Sequence, residues 1–213
     1  MDKKSLSEAL KKLKSEKKRK FSQSVDLIIT LQDLNLKNPE DQLDFFLTLH
    51  HDTGKKIKVC ALVGPETREE AKAACDETVL ADNFAQYDKK KTRRLAKTHN
   101  FFIAQANIMA KVATTFGRVL GPQGKMPNPK AGCIVPPKAS LKPIVERLQK
   151  TVRITAKKSP VVQVKIGTED QPEENIIDNA LTAYNQVIQH LPKERNNIKG
   201  AYLKFTMTKP VKL

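Results

Sequence analysis

Two hydrophobic rhythms divide this 213-residue sequence, and one kind of sheet cannot accommodate both. Near the N-terminus Val25, Leu27, Ile29 and Leu31 alternate with Ser24, Asp26 and Thr30, which predicts a strand with one packed face. Phe45, Leu47 and Leu49 suggest a second such strand, and the period of two returns at residues 152–155, 161–166 and from Ala201 to about Met207. Between them, residues 57–63 and 101–104 are apolar with few polar interruptions and alternate with helical segments. That is the pattern of a small parallel sheet covered on both faces. The simplest assembly is one domain made from both chain ends with a second inserted into it. Two domains cut once in the middle satisfy the pattern as well.

The helices follow from stripes and caps. Ser5 and Glu8 have capping-box spacing ahead of Leu6, Leu10 and Leu13, and the same helix is expected to continue into Lys17-Lys18-Arg19-Lys20. Gly64-Pro65 predicts a turn into a helix that Thr67 and Glu70 can cap. A brief apolar patch follows at Val79-Leu80, then a basic helix from about Asp88 to Lys97 and a helix through Ile108, Val112 and Phe116. Residues 117–137 are rich in Gly and Pro and predict an ordered loop or a series of turns. Ser140 is placed to cap a helix carrying Leu141, Ile144, Val145 and Leu148. Lys157-Lys158-Ser159-Pro160 reads as a hairpin-like turn. The helix from about Glu173 carries Ile176, Ala180, Tyr184 and Val187 on one stripe and stops at Pro192.

Charge selects the partner. The chain carries 39 Lys+Arg against 23 Asp+Glu, a net +16, which favours a polyanion: nucleic acid first, an acidic membrane surface second. No apolar run is long enough to span a bilayer and no signal-peptide stretch opens the chain, so a soluble intracellular protein is expected. Cys60, Cys75 and Cys133 suggest neither a disulfide framework nor a metal site. The adjacent His50 and His51 are expected to point apart, away from a shared metal. The loop from Gly117 through Gly121 and Gly124 to Lys125 fits neither a P-loop nor a dinucleotide fingerprint. No catalytic residue, metal ligand or cofactor is therefore assigned. Residues 55–151 carry a balance of +11 and the terminal segments together +5, so net charge alone places the binder in the middle. In the ends, however, acids gather at residues 33–52 and 169–178 and bases at 11–20 and 193–212, which predicts one acidic and one basic face. Phosphate contacts depend on where charges sit.

Specific RNA recognition needs hydroxyls and apolar or aromatic side chains beside the lysines. Phe21 directly follows the basic run. Thr206-Met207-Thr208 ends the last strand among Lys204, Lys209 and Lys212. Taken alone, apolar residues such as Phe21 and Met207 are more often core residues than RNA contacts.

Residues 120–132, Leu-Gly-Pro-Gln-Gly-Lys-Met-Pro-Asn-Pro-Lys-Ala-Gly, closely resemble the LGPxGxMPNPKxGT signature of the universal large-subunit ribosomal protein L-one family, with Cys133 for the usual threonine. Lys20-Phe21, the lysines after Gly54 and Thr206-Met207-x-x-Pro210 extend the resemblance over nearly the whole chain, in an archaeal or eukaryotic rather than bacterial form. The resemblance implies an α/β two-domain fold: an α+β, RNA-binding domain I from residues 1–54 and 152–213, and an inserted Rossmann-like domain II from 55–151. It implies a constituent of the large subunit, cytoplasmic, at the mobile stalk near the tRNA exit site. Such a protein binds large-subunit rRNA, assists release of deacylated tRNA, can repress translation of its own mRNA, and is monomeric off the ribosome. The alternative is a sequence-indifferent RNA binder or chaperone. Carried over by motif, Phe21, Ser24, Thr206 and Met207 form the RNA contact patch, with Lys20 beside it. Thr208 stands where the family usually has glycine, and its side chain could hinder close approach of RNA. Lys157, Lys158, Gln163 and Lys165 are weaker RNA-binding candidates. The signature loop is expected to be structural.

Overall fold

The computed structural model describes residues 2–16, 19–137 and 139–213. Strand β1 (Ser24–Leu31) realises the alternation read from its sequence, with Val25, Leu27, Ile29 and Leu31 buried. It lies inside a four-stranded antiparallel sheet, between β8 (Val161–Thr168) and β9 (Ile198–Phe205), with β10 (Val211–Lys212) beyond β9. Helices α1 (Lys3–Ser15) and α6 (Glu173–Gln189) supply Leu6, Leu10, Leu13, Ile176, Ala180, Ala183 and Val187 to the same core. Each of these leucines and isoleucines contributes about 1.5–3 kcal/mol by leaving water. The opposite side of the sheet carries the half-exposed Ser24, Asp26, Ile28 and Thr30.

Helix α1 begins at Lys3, two residues before the expected cap, and Ser5 Oγ donates to the Asp2 carbonyl at 2.8 Å rather than closing a capping box. It ends at Ser15, so Arg19 and Lys20 are not helical. Lys17 and Lys18 of the expected basic helix end lie outside the described residues.

The hairpin expected around residues 157–160 does not form. Strand β7 (Thr151–Ala156) pairs instead with β2 (Leu43–Thr48) in a separate two-stranded ladder, and the turn carries the chain from that ladder to β8. Polar contacts explain the detour. Arg153 grips both oxygens of Asp44 at 2.8 and 3.0 Å, and Lys157 Nζ reaches Asp44 at 2.6 Å. The Arg153 guanidinium, with help from Lys157, holds the Asp44 carboxyl down at about 2. Where β8 meets β1, the register shifts between Val25 and Asp26, leaving Ile166 as the extra residue of a bulge. Buried Asn179 of α6 donates to the Ile166 carbonyl at 3.0 Å and so satisfies it.

The second compact unit, Lys56–Gln149, is built around parallel strands in the order β4-β3-β5-β6; the first comprises Met1–Lys55 and Lys150–Leu213. These strands are β3 (Val59–Val63), β4 (Glu77–Leu80), β5 (Phe101–Gln105) and β6 (Ile134–Val135). The Val79-Leu80 patch is therefore a strand. Every residue of β3 is buried. Cys60, Leu62, Phe102 and Ala104 meet Leu95 and Ala96 of α3 (Lys89–Thr98) and Val112 and Phe116 of α4 (Met109–Leu120). Helix α2 (Arg68–Ala74) packs against β3 and against α5 (Lys142–Gln149). Thr67 does not cap α2; its Oγ1 accepts from Gln105 Nε2 at 2.8 Å. Helix α4 runs through Gly117 to Leu120, four residues into the expected loop, because Val119 and Leu120 continue its buried stripe.

The signature residues knit this unit together. Lys125 Nζ donates to the carbonyls of Ala96 and His99 at 2.6 and 2.8 Å, closing the C-terminal end of α3. Asn128 Oδ1 accepts from the Lys130 N–H at 2.9 Å. Gly132 has φ +69, and a Cβ there would displace the Arg147 guanidinium, which donates to the Ala131 carbonyl. Gly132→Ala is expected to cost about 1–2 kcal/mol. Faster hydrogen exchange at the Ala104 amide, which bonds the Cys133 carbonyl at 2.9 Å, would report that loss.

Candidate nucleic-acid interface

The two ends of the chain meet where β1 begins and β9 stops. The Ser24 N–H donates to Thr206 Oγ1 at 3.1 Å, and the Thr206 N–H returns a bond to the Ser24 carbonyl at 3.1 Å. Gln23 fixes a third segment to this pair. Its side chain is only 2% exposed, accepts from the Met207 N–H and donates to Glu169, both at 3.1 Å. Its carbonyl accepts from the Glu169 N–H at 3.0 Å. Sequence reasoning passed over Gln23, since nothing local marks an amide whose partners lie more than 140 positions away.

This scaffold leaves Phe21 51% and Met207 56% exposed, and they are the exposed large hydrophobics of the described residues. The reading in which either is a core residue is overturned. Ser24 presents its hydroxyl with no hydrogen bond to it among the described residues. Thr208 turns inward: its hydroxyl accepts from the Phe205 N–H at 3.0 Å and donates to the Phe205 carbonyl at 3.4 Å. Positive φ among non-glycine residues occurs only at Asp33 and Glu194 of the described chain, so this turn makes no demand for glycine.

The expected separation of acidic from basic faces fails here. Ser22 Oγ donates to Asp170, and Glu169 is held by Gln23, which brings two carboxylates beside Phe21. Together with Lys14, Arg19, Gln23 and Phe205 they line a groove of about 540 Å³. Lys14 pairs with Glu173 at 2.8 Å, while Arg19 and Lys20 are exposed with no ion pair among the described residues. Cations there can hold phosphates, and the carboxylates can accept from 2′-hydroxyls or exocyclic amines.

From this end a polar face runs along the open side of the sheet. Asp26 stands between Lys204 of β9 and Lys165 of β8, and one row further Ile28 stands between Tyr202 and Gln163, with Lys212 of β10 beyond Tyr202. Asp26 and Tyr202 were not singled out from sequence, because alternation gives the face of a strand but not its neighbours. Lys157 and Lys158 do not join this patch. They lie at the opposite end of the sheet, where the Pro160 carbonyl bonds the Leu31 N–H, about 20 Å along the strand from Ser24. Lys157 is also engaged by Asp44. His50 and His51, expected to diverge, both approach the same oxygen of Asp178, at 2.7 and 3.6 Å. They sit in a turn, where the alternation of a strand does not apply. No group of three or more His, Cys, Asp or Glu able to hold a metal occurs among the described residues, and no described helix is long and apolar enough to cross a membrane.

An antiparallel unit made from both chain ends, with an exposed aromatic and thioether beside hydroxyls and lysines, interrupted by a basic parallel α/β unit, defines a class of two-unit nucleic-acid-binding proteins. Residues 13–209 match the model of the Ribosomal protein L1p/L10e family, and the chain belongs to that family. It is 39% identical to large ribosomal subunit protein uL1 of Nanoarchaeum equitans, over 96% of this chain and 97% of that protein. It is 38% identical to the proteins of the same name from Thermofilum pendens (98% and 92% covered) and Thermococcus kodakarensis (100% and 98%).

Gln23→Leu leaves the Met207 amide without its acceptor and is expected to destabilise the protein by about 1–3 kcal/mol. Phe21→Ala and Met207→Ala should each change stability by less than about 0.5 kcal/mol. Urea denaturation curves distinguish the two outcomes.

Proposed function

We propose that this chain is a structural constituent of the large ribosomal subunit that binds large-subunit rRNA through the sheet end where Phe21, Ser24, Thr206 and Met207 meet. The observation that carries the reading is the pair of exposed apolar side chains on a rigid, hydrogen-bonded frame. Unstacked bases and the sugar face of a folded RNA gain from such a surface, and water does not. Lys20 and Arg19 supply phosphate contacts beside it, and Thr208 leaves the approach clear because its hydroxyl is spent within its own turn. Residues 1–54 and 152–213 act as the RNA-binding domain I, and residues 55–151 as an inserted domain II. The +11 balance of domain II serves weaker contacts with rRNA or a passing tRNA. On this reading the protein is ribosome-bound in the cytoplasm, at the mobile stalk near the tRNA exit site, where it assists release of deacylated tRNA. It is a monomer off the ribosome, and a similar RNA fold in its own mRNA would allow it to repress its own translation. No catalytic step or cofactor enters the reading.

The competing description is a sequence-indifferent RNA binder, held by charge alone. Competition between a stalk-type rRNA fragment and random RNA across salt concentration separates the two. A specific complex keeps a margin of roughly several kcal/mol as salt rises, by analogy with specific DNA complexes. Phe21→Ala or Met207→Ala is expected to reduce rRNA affinity by about 1–3 kcal/mol, on the scale of base–aromatic stacking, while Lys158→Ala changes it far less. Equal affinity for both RNAs at every salt concentration would sink the specific reading.

A further inference from the structure

We propose that the middle of the open sheet face is a second RNA contact, at which Lys165, Lys204 and Lys55 together receive one backbone phosphate. The inference rests on the reading of the adjoining sheet end as an rRNA surface. Its observation is the convergence of three cations from three separate segments on one carboxylate. Lys165 and Lys204 occupy the two register positions either side of Asp26, and Lys55 is close enough to both Asp26 and Lys165 to act on their charge. The groups do not neutralise one another: three lysines face Asp26, and with Asp52 also acting on Lys165 positive charge is still in excess. Neither the three lysines nor Asp26 makes an ion pair or a side-chain hydrogen bond among the described residues, in contrast to the tightly engaged Arg153 and Lys157 around Asp44. The pairs Lys165–Asp26 and Lys204–Asp26 lie one step along β1 from Ser24 and Thr206, so a strand of RNA seated on Phe21 and Met207 can continue onto them.

The charge states of this row are unusual for a surface. Burial raises Asp26 above the ordinary carboxylate range, opposed by Lys204, Lys165 and Lys55 in that order. Burial, reinforced by Lys55, pushes Lys165 down to about 8, against the opposing pull of Asp26 and Asp52. Lys165 thus loses its proton just above neutral pH in the free protein. A phosphate arriving beside it favours the ammonium form, so above that point binding must take up a proton. The sign follows: the contribution of Lys165 to affinity is full below its pKa and declines as pH rises through about 8. Asp26 works the other way: when ionised, its negative charge weakens the site for phosphate.

The test measures binding of the full chain to a stalk-type rRNA fragment at fixed salt from pH 6.5 to 8.5, and across salt at pH 7. Wild-type affinity is expected to fall as pH rises. Lys165→Arg, which keeps its charge over the whole range, should remove that fall and so also controls for titration of the RNA itself. Lys165→Met should bind severalfold more weakly at pH 7, with the slope of log affinity against log salt reduced by about one, the mark of one lost phosphate contact. Asp26→Asn should bind more tightly at pH 7. If Lys165→Met binds as wild type does at pH 7 with an unchanged salt slope, while Phe21→Ala still weakens binding, this second contact is refuted and the primary surface stands. If Phe21→Ala and Met207→Ala leave affinity unchanged, the reading beneath the proposal falls instead.

Discussion

The pairing of Ser24 with Thr206 is the interaction on which the antiparallel unit and its surface depend. It sets β9 against β1, and that register decides which side chains of both strands enter the core and which face solvent. A slip of one residue would turn Leu27 and Leu203 outward and bury Asp26 and Lys204. Gln23 makes such a slip costly, because its buried amide is satisfied only when Met207 and Glu169 are both in place. Phe21 and Met207, just beyond the paired strand ends, stay exposed beside this frame.

The most recognisable stretch of the sequence and the proposed site of recognition are different places, and their chemistry explains why. Lys125, Asn128 and Gly132 face the backbone of their own unit: a helix end closed by an ammonium, a turn capped by an amide, a left-handed residue beneath a guanidinium. Such demands tolerate few side chains, so the motif is long and easily read. A surface that meets RNA by shape needs a hydroxyl here and an apolar group there, on residues far apart in sequence. Net charge misleads for the same reason. The unit with the larger positive balance carries it along the exposed helix α3, whereas the proposed contact depends on a few cations set beside apolar groups.

Much of the architecture was legible. Alternation placed β1 to the residue, the uninterrupted apolar runs announced the parallel sheet, and the stripe of α6 marked its buried face. Three things were not legible because they depend on distant partners. The turn at residues 157–160 looks like a hairpin until Asp44 is known to hold Arg153 and Lys157 across the ladder. Gly117 looks like a helix stop until Val119 and Leu120 are seen buried. Glu169 and Asp170 look like part of an acidic face until the bulge at Ile166 and the bonds from Ser22 and Gln23 bring them to the strand end. For the site, the family motif supplied Phe21, Ser24, Thr206 and Met207, while Asp26 and Tyr202 required the register.

The 182 positions between Ser24 and Thr206 have a temporal consequence. A chain emerging from the ribosome that makes it can complete residues 56–149, a contiguous segment with its own core, well before the last strand exists. Until β9 is synthesised, β1 has an unpaired edge along its full length, open to wrong partners. The proposed RNA surface is therefore completed last, all at once, when residue 206 docks. A truncated nascent chain cannot occupy a binding place that belongs to a finished molecule.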